Sequence, residues 1–261
     1  MTRLGFVGTG TITEAIVTGL ASGEGAGWEI AVSPRSAETA ARLAARFPAV
    51  TVAAGNQAVV DAADMVFLAI RPDVAEEVVR ALSFRTGQCV VSLIAAVDHA
   101  TLAGWIGAPV RIVRAVPLPF VARRSGVTAV FPADAEVEAL FARLGAAVPC
   151  ASIEEYDLLA TASALMGSYF GVMDHVVGWL KDKGLPETSA RAYLAPLFSS
   201  LSEVATLETG QTLEALRHEY STKGGLNEQM FARFRDHGGT DALTAALDSV
   251  LERVSRASGR G

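Results

Sequence analysis

The run Leu4-Gly5-Phe6-Val7-Gly8-Thr9-Gly10-Thr11-Ile12-Thr13 constrains the fold more than any other stretch of the 261-residue chain. A short apolar segment leads to two glycines one residue apart, and the apolar-periodic Glu14-Ala15-Ile16-Val17-Thr18-Gly19-Leu20 follows. This order reads as a buried strand, a tight turn and a helix start. Gly8 lets the turn close, and Gly10 lets a phosphate approach the backbone. The unpaired amides that open the helix, at Thr11 and Ile12, favour negative charge. Thr13 stands where a third glycine would complete G-x-G-x-x-G, and taken alone the turn is equally an ordinary strand-to-helix connection.

The sequence after this turn keeps alternating. Apolar strand-like runs fall at residues 4–7, 29–32, 50–52, 65–70, 89–94, 110–113, 127–131 and 147–149. Amphipathic helical runs fall between most of them, at 11–22, 36–47, 72–82, 99–106 and 133–144. Near-continuous apolar strands separated by helices predict an α/β fold whose mainly parallel sheet is covered on both faces. Right-handed crossovers then favour a doubly wound, Rossmann-like domain over residues 1–150, with ligands at the carboxyl ends of its strands. The 51% hydrophobic content is ample for such a core. The net charge of −6, without a basic run, argues against a nucleic-acid partner. No apolar run approaches the length of a membrane span and no signal-like segment opens the chain, so a cytoplasmic protein is expected. Cys89 and Cys150 lack paired or metal-ligand spacing and are expected to be reduced core residues, with no metal site.

The strand ends carry the candidate chemistry. The second strand ends in Ser33-Pro34-Arg35-Ser36, with no acid to accept from a ribose 2′-hydroxyl. Arg35 with flanking hydroxyls suits a 2′-phosphate, which favours NADP, and Ser36 equally serves as the N-cap of the next helix. The fourth strand ends in Leu68-Ala69-Ile70-Arg71-Pro72, where Pro72 suits a first helical turn, and the fifth in Ser92-Leu93-Ile94-Ala95-Ala96. Small residues there let a flat dinucleotide cross the sheet edge.

Together these motifs resemble the pyrroline-5-carboxylate reductases. The opening Gly-Phe-Val-Gly-Thr-Gly-Thr-Ile is similar to that family's Gly-Phe-Ile-Gly-x-Gly-x-Met, and Ser33 to Ser36 to its Asn-Arg-Ser segment. Leu68 to Pro72 is similar to Leu-Ala-Val-Lys-Pro with Arg71 for Lys, Ser92 to Ala96 to Ser-Ile-x-Ala-Gly, and Arg114-Ala115-Val116-Pro117 to Arg-x-Met-Pro. The resemblance implies an adenosine-side role for Asn56 and an NADPH-dependent reduction of a cyclic imine. The nicotinamide would lie near Ala95 and Pro117.

Beyond Cys150 only helices are expected, forming a second domain over 151–261. Ser152 and Glu155 make a capping box, and an uninterrupted helix is predicted from Tyr156 to Lys183. Gly184-Leu185-Pro186 then starts another, and shorter helices follow near 213–219, 227–236 and 241–255. So many long apolar helices call for a partner surface, and the resemblance implies a homodimer or higher homo-oligomer, with a monomeric helical cap as the alternative.

Leu216-Arg217-His218-Glu219-Tyr220-Ser221-Thr222-Lys223-Gly224-Gly225-Leu226-Asn227 resembles the family's Leu-Arg-x-x-Val-Thr-Ser-Pro-Gly-Gly-Thr-Thr, whose amides and hydroxyls bind the substrate carboxylate. Paired glycines before a helix would expose adjacent donors, so Thr222, Lys223, Gly224, Gly225 and Asn227 are the candidate catalytic residues. Lys223, Leu226 and Asn227 depart from the family pattern, as does Leu118 after Pro117; these changes remove polar groups and add bulk where the small proline precursor would sit, and the expected substrate is pyrroline-5-carboxylate or a bulkier relative. Two alternatives stay open: a two-domain dehydrogenase acting on a keto or hydroxy acid with Lys223 as proton donor, and an NADP-binding regulatory protein without catalysis. His175 and His218 are read as packing or surface residues.

Overall fold

The computed structural model describes residues 2–23, 27–95 and 97–257. Among the described residues there are eight strands: β1 Thr2–Val7, β2 Trp28–Val32, β3 Val50–Val52, β4 Met65–Leu68, β5 Cys89–Ser92, β6 Arg111–Pro117, β7 Gly126–Phe131 and β8 Gly145–Pro149. They form one sheet in the order β3-β2-β1-β4-β5-β6-β7-β8. Every neighbouring pair is parallel except β6 and β7. The order reverses between β1 and β4, which opens a crevice at their carboxyl ends. The doubly wound expectation is met.

The sheet is covered on both faces because its central strands have no polar side to offer. Every residue of β4 and β5 is buried. Helices α1 Thr11–Ala21, α2 Ala37–Arg46 and α6 Ala135–Ala142 supply Ile16, Val17, Leu43, Leu140 and Phe141 to the core on one face. There Phe6 stacks on Phe67 at 4.5 Å between centroids, and Phe141 meets Phe67 edge-on at 6.3 Å. Helices α3 Asn56–Ala62, α4 Pro72–Arg80 and α5 His99–Ile106 cover the other face with Val59, Val60, Ala75, Val79 and Leu102. Full burial of each of these larger aliphatic or aromatic side chains is worth roughly 1.5–3 kcal/mol. The sequence gives little sign of α3, a seven-residue helix whose only buried side chains are Val59 and Val60.

Thr13, in the place of the third glycine, is fully buried, and its Oγ1 donates to the Gly8 carbonyl at 2.7 Å. Close helix packing falls instead to Gly19, where a Cβ would lie 2.2 Å from the Val121 carbonyl oxygen. That carbonyl belongs to a short 3₁₀ turn, Pro119–Arg123.

The chain divides into two compact units. The first runs to Thr161 and takes in the last turns of the final helix from Leu251, while the second spans Ala162–Val250. The sequence boundary of 150/151 thus precedes α7 Ile153–Ala162, which stays with the sheet. Tyr156 of α7 is buried beside Cys150, Ala129 and Phe131, and the Arg114 guanidinium sits 4.6 Å over its ring. Burial pushes the Tyr156 hydroxyl pKa well up, opposed by the Arg114 charge. Arg114 itself is 3% exposed, and its Nε and Nη1 have no hydrogen-bond partner among the described residues.

The expected single helix from Tyr156 to Lys183 is corrected to two, α7 and α8 Leu165–Asp182. The small residues Ser163 and Ala164 let the backbone tighten, as Met166 N–H and Gly167 N–H reach back only three residues to their carbonyls. The capping box is present: Glu155 N–H donates to Ser152 Oγ at 3.2 Å, and the Glu155 carboxylate accepts from Ala151 N–H at 2.7 Å. In the second unit α9 Glu187–Leu207 packs on α8 through Val177, Ala190 and Leu194, and continues through Pro196. Helices α10 Leu213–Glu219, α11 Leu226–Asp236 and α12 Gly239–Ala257 follow. This unit leaves large apolar side chains exposed, among them Phe170 at 61%, Trp179 at 56%, Tyr193 at 71% and Leu226 at 83%. No helix among the described residues is long and apolar enough to cross a membrane.

Candidate functional site

The parallel pairing of β1, β2, β4, β5 and β6 brings their carboxyl ends to one edge of the sheet. At the centre of this edge the chain leaves β1 through Gly8, whose φ of 99° puts it in the left-handed region. A Cβ there would lie 2.2 Å from the Ala69 carbonyl oxygen, so the turn closes against the end of β4 only with glycine. Gly10, at φ −89°, has no atom of the described residues, apart from its own chain neighbours, within 4 Å of where its Cβ would stand. The side of the turn that a phosphate needs is open. Gly10 is also the N-cap of α1 and brings no side-chain cap, which leaves the Thr11 and Ile12 amides for a ligand.

Ser33 holds this turn from below. It is fully buried, its Oγ accepts from Gly8 N–H at 2.9 Å, and its carbonyl accepts from Thr9 Oγ1 at 2.6 Å. Ser33 therefore braces the turn rather than lining the space above it.

That space is a cleft of about 350 Å³. Gly8, Gly10, Arg35, Ser36, Ala69 and Arg71, all anticipated, form most of its wall, and Thr9, Ile70 and Val74 complete it. Arg35 is exposed and takes part in no ion pair among the described residues, whereas Arg71 pairs with Asp73 at 3.0 Å. Ser36 occupies the N-cap position of α2, yet its hydroxyl makes no capping bond and remains available. Pro72 opens α4 and Asn56 opens α3. Ala95 lies exposed just past β5, and Pro117 ends β6 and is buried. None of these last four residues lines the cleft. Ala96 lies outside the described residues. The open turn, uncapped helix and unpaired guanidinium fit a phosphorylated dinucleotide. Ile70 and Val74, missed in the sequence, follow a strand end and ride on a helix start, positions without a distinctive pattern.

In the helical unit the glycine loop joins α10 to α11, and here the expectation of exposed donors is corrected. Gly224 N–H donates to Glu228 Oε2 at 2.6 Å, and Gly225 N–H donates to the Thr222 carbonyl at 2.8 Å. Asn227 turns its Nδ2 back to the Tyr220 carbonyl at 2.6 Å. Glu228 is the third residue of α11, where a glutamate reaches back naturally over the helix start. Thr222 and Lys223 are exposed, and Lys223 forms no ion pair among the described residues. A cavity of about 480 Å³ adjoins the loop, walled by Gly224, Gly225, Arg217, Glu228, Phe231 and Arg235 among others. It does not include Thr222, Lys223 or Asn227. Arg217 stacks 4.7 Å over Phe231 and pairs with Glu214 at 3.6 Å, and Arg235 pairs with Asp236 at 3.0 Å. His175 is exposed, as is His218, which also borders this cavity.

Residues 3–96 match the family described as NADP oxidoreductase coenzyme F420-dependent. Over nearly the whole chain, the sequence is 26% identical to a pyrroline-5-carboxylate reductase of Pseudomonas aeruginosa, covering 96% of this chain and 95% of that protein. The structure of a pyrroline-5-carboxylate reductase from Coxiella burnetii superposes with a TM-score of 0.84 at 25% identity, covering 98% of each chain. A reductive aminase from Aspergillus terreus, in complex with NADPH and ethyl levulinate, shares the fold at a TM-score of 0.62 and 18% identity, covering 100% of this chain and 95% of that one. The fold, the strand-end cleft and the matched family define an NADP-dependent oxidoreductase. Within that class the chain is similar, along nearly its whole length, to pyrroline-5-carboxylate reductases.

Proposed function

We infer that the protein is an NADPH-dependent reductase of cyclic imines, acting on pyrroline-5-carboxylate or a bulkier relative. The observation that carries this reading is the full-length similarity to pyrroline-5-carboxylate reductases, joined to a cleft that presents Arg35 and Ser36 where a 2′-phosphate would lie. The turn at Gly8 and Gly10, with the Thr11 and Ile12 amides, would hold the pyrophosphate. Arg71 would add positive charge at the same wall, and Pro72 fixes its position by opening α4. Bound NADPH supplies a hydride. A protonated cyclic imine is already electrophilic at carbon, so the chain's task is to orient it near Ala95 and Pro117 and exclude water, without a strong general acid.

The second domain is proposed to bind substrate through the 222–227 loop and to dimerise. The exposed Phe170, Trp179 and Tyr193 of α8 and α9 support a second copy as the partner, because apolar side chains in such number are rarely left to water. The test is NADPH consumption by the purified protein across panels of cyclic imines and keto acids, repeated with NADH. Turnover of imines with NADPH supports the reading. Turnover confined to keto acids, or tight NADPH binding with no turnover at all, overturns it.

A further inference from the structure

We propose that Glu228 is a specificity-determining residue that turns the substrate site toward imines carrying no carboxylate. This rests on the imine-reductase reading and on the 222–227 loop as its substrate contact.

A paired-glycine turn at a helix start is a physical seat for an anion, since its amides and the helix dipole favour negative charge. In this protein the chain's own carboxylate takes that seat. Glu228 Oε2 lies 2.6 Å from Gly224 N, a charge-assisted contact. Two neighbouring donors are also engaged, Gly225 N–H with the Thr222 carbonyl at 2.8 Å and Asn227 Nδ2 with the Tyr220 carbonyl at 2.6 Å, while the Lys223 ammonium stays exposed on the other side of Gly224. The guanidinium groups of the adjoining cavity are held by acids of their own helices, Arg217 by Glu214 and Arg235 by Asp236. A substrate carboxylate arriving at the loop therefore meets a like charge at the amide it would bind. It has to displace Glu228 or do without the contact. An imine without a carboxylate meets neither penalty, and Phe231 and the Arg217 stem offer it apolar surface.

The test compares kcat/KM for 2-methyl-1-pyrroline and for pyrroline-5-carboxylate at saturating NADPH, in the native protein and in Glu228→Gln. The amide keeps an acceptor for Gly224 N–H, so the helix start is retained while the charge is removed. The native protein should prefer 2-methyl-1-pyrroline, the imine without a carboxylate. Glu228→Gln should shift the ratio about tenfold toward the carboxylate, the size expected for a close like charge at a solvated site. A purely structural cap would lower both substrates together and leave the ratio unchanged. An unchanged ratio overturns the proposal while leaving the imine-reductase reading intact, as does a native preference for pyrroline-5-carboxylate. Consumption of neither imine overturns both. Because the native preference is itself predicted, the proposal stays refutable even if the variant misfolds.

Discussion

Replacing Gly8 and Gly10 by alanine, one at a time, separates what the opening turn does for the fold from what it does for the cofactor. At Gly8 the new Cβ faces two penalties. The positive φ of 99° costs about 1–2 kcal/mol for an L side chain. The 2.2 Å approach to the Ala69 carbonyl, a backbone atom that cannot rotate away, adds roughly 1–3 kcal/mol of overpacking. About 3 kcal/mol in total is a large share of a domain's ~5–15 kcal/mol. It should lower Tm by about 6–12 °C. At Gly10 neither penalty applies, because φ is −89° and no described residue apart from its chain neighbours lies within 4 Å. The weaker N-cap quality of alanine costs about 0.5 kcal/mol, or a degree or two. Its methyl group, however, projects into the open side of the turn. Loss of one charge-assisted amide contact, about 1.5–3 kcal/mol, should weaken NADPH about 10- to 100-fold. Thermal melts and calorimetric titration with NADPH read both effects. A Gly10→Ala protein that binds NADPH within about twofold of the parent would refute the placement of the pyrophosphate. A Gly8→Ala protein with unchanged Tm would refute the strain argument.

Arg35→Asp should weaken NADPH at least about tenfold more than NADH, because it removes the unpaired guanidinium facing the cleft and adds an acceptor for a ribose hydroxyl; equal losses in titrations with the two cofactors would speak against a 2′-phosphate there. The Tyr156 phenol titrates near 10 when exposed and higher when buried, so the stability tied to it is complete below about pH 10 and is lost as pH rises beyond it. Tyr156→Phe should flatten that alkaline loss in urea melts taken at several pH values, and an unchanged slope would show that the phenol does not titrate against a folded environment. Phe170→Asp, on the exposed apolar face of α8, should shift the oligomer toward monomer in light scattering at micromolar concentration, and no change would move the proposed interface elsewhere.

Much of the sheet was legible because its strands are buried on both faces and therefore read as apolar runs, as β4 and β5 illustrate. The helices that cover it were legible where they were long enough to show a period, and α3 was too short. The break between α7 and α8 was invisible, since no proline or glycine marks Ser163 and Ala164 and the apolar pattern runs across them. At the site, the glycines and Arg35 stood out because their chemistry depends on residue type at fixed strand ends. Ser33 did not reveal whether it faces ligand or core, because one hydroxyl serves either purpose and only the fold decides. The loop at Gly224 shows the opposite limit: the paired glycines were visible, but the carboxylate four residues on that fills their amide was not.

The Ser33 brace has a practical consequence for anyone wishing to exchange the cofactor of this protein. Its hydroxyl and carbonyl tie the end of β2, where the adenosine side is discriminated, to the turn after β1, where the pyrophosphate would sit. The two halves of the seat are thus one mechanical piece. Redesign confined to Arg35 and Ser36 can retune preference on a preserved frame, whereas any change at Ser33 would loosen the grip on both cofactors alike.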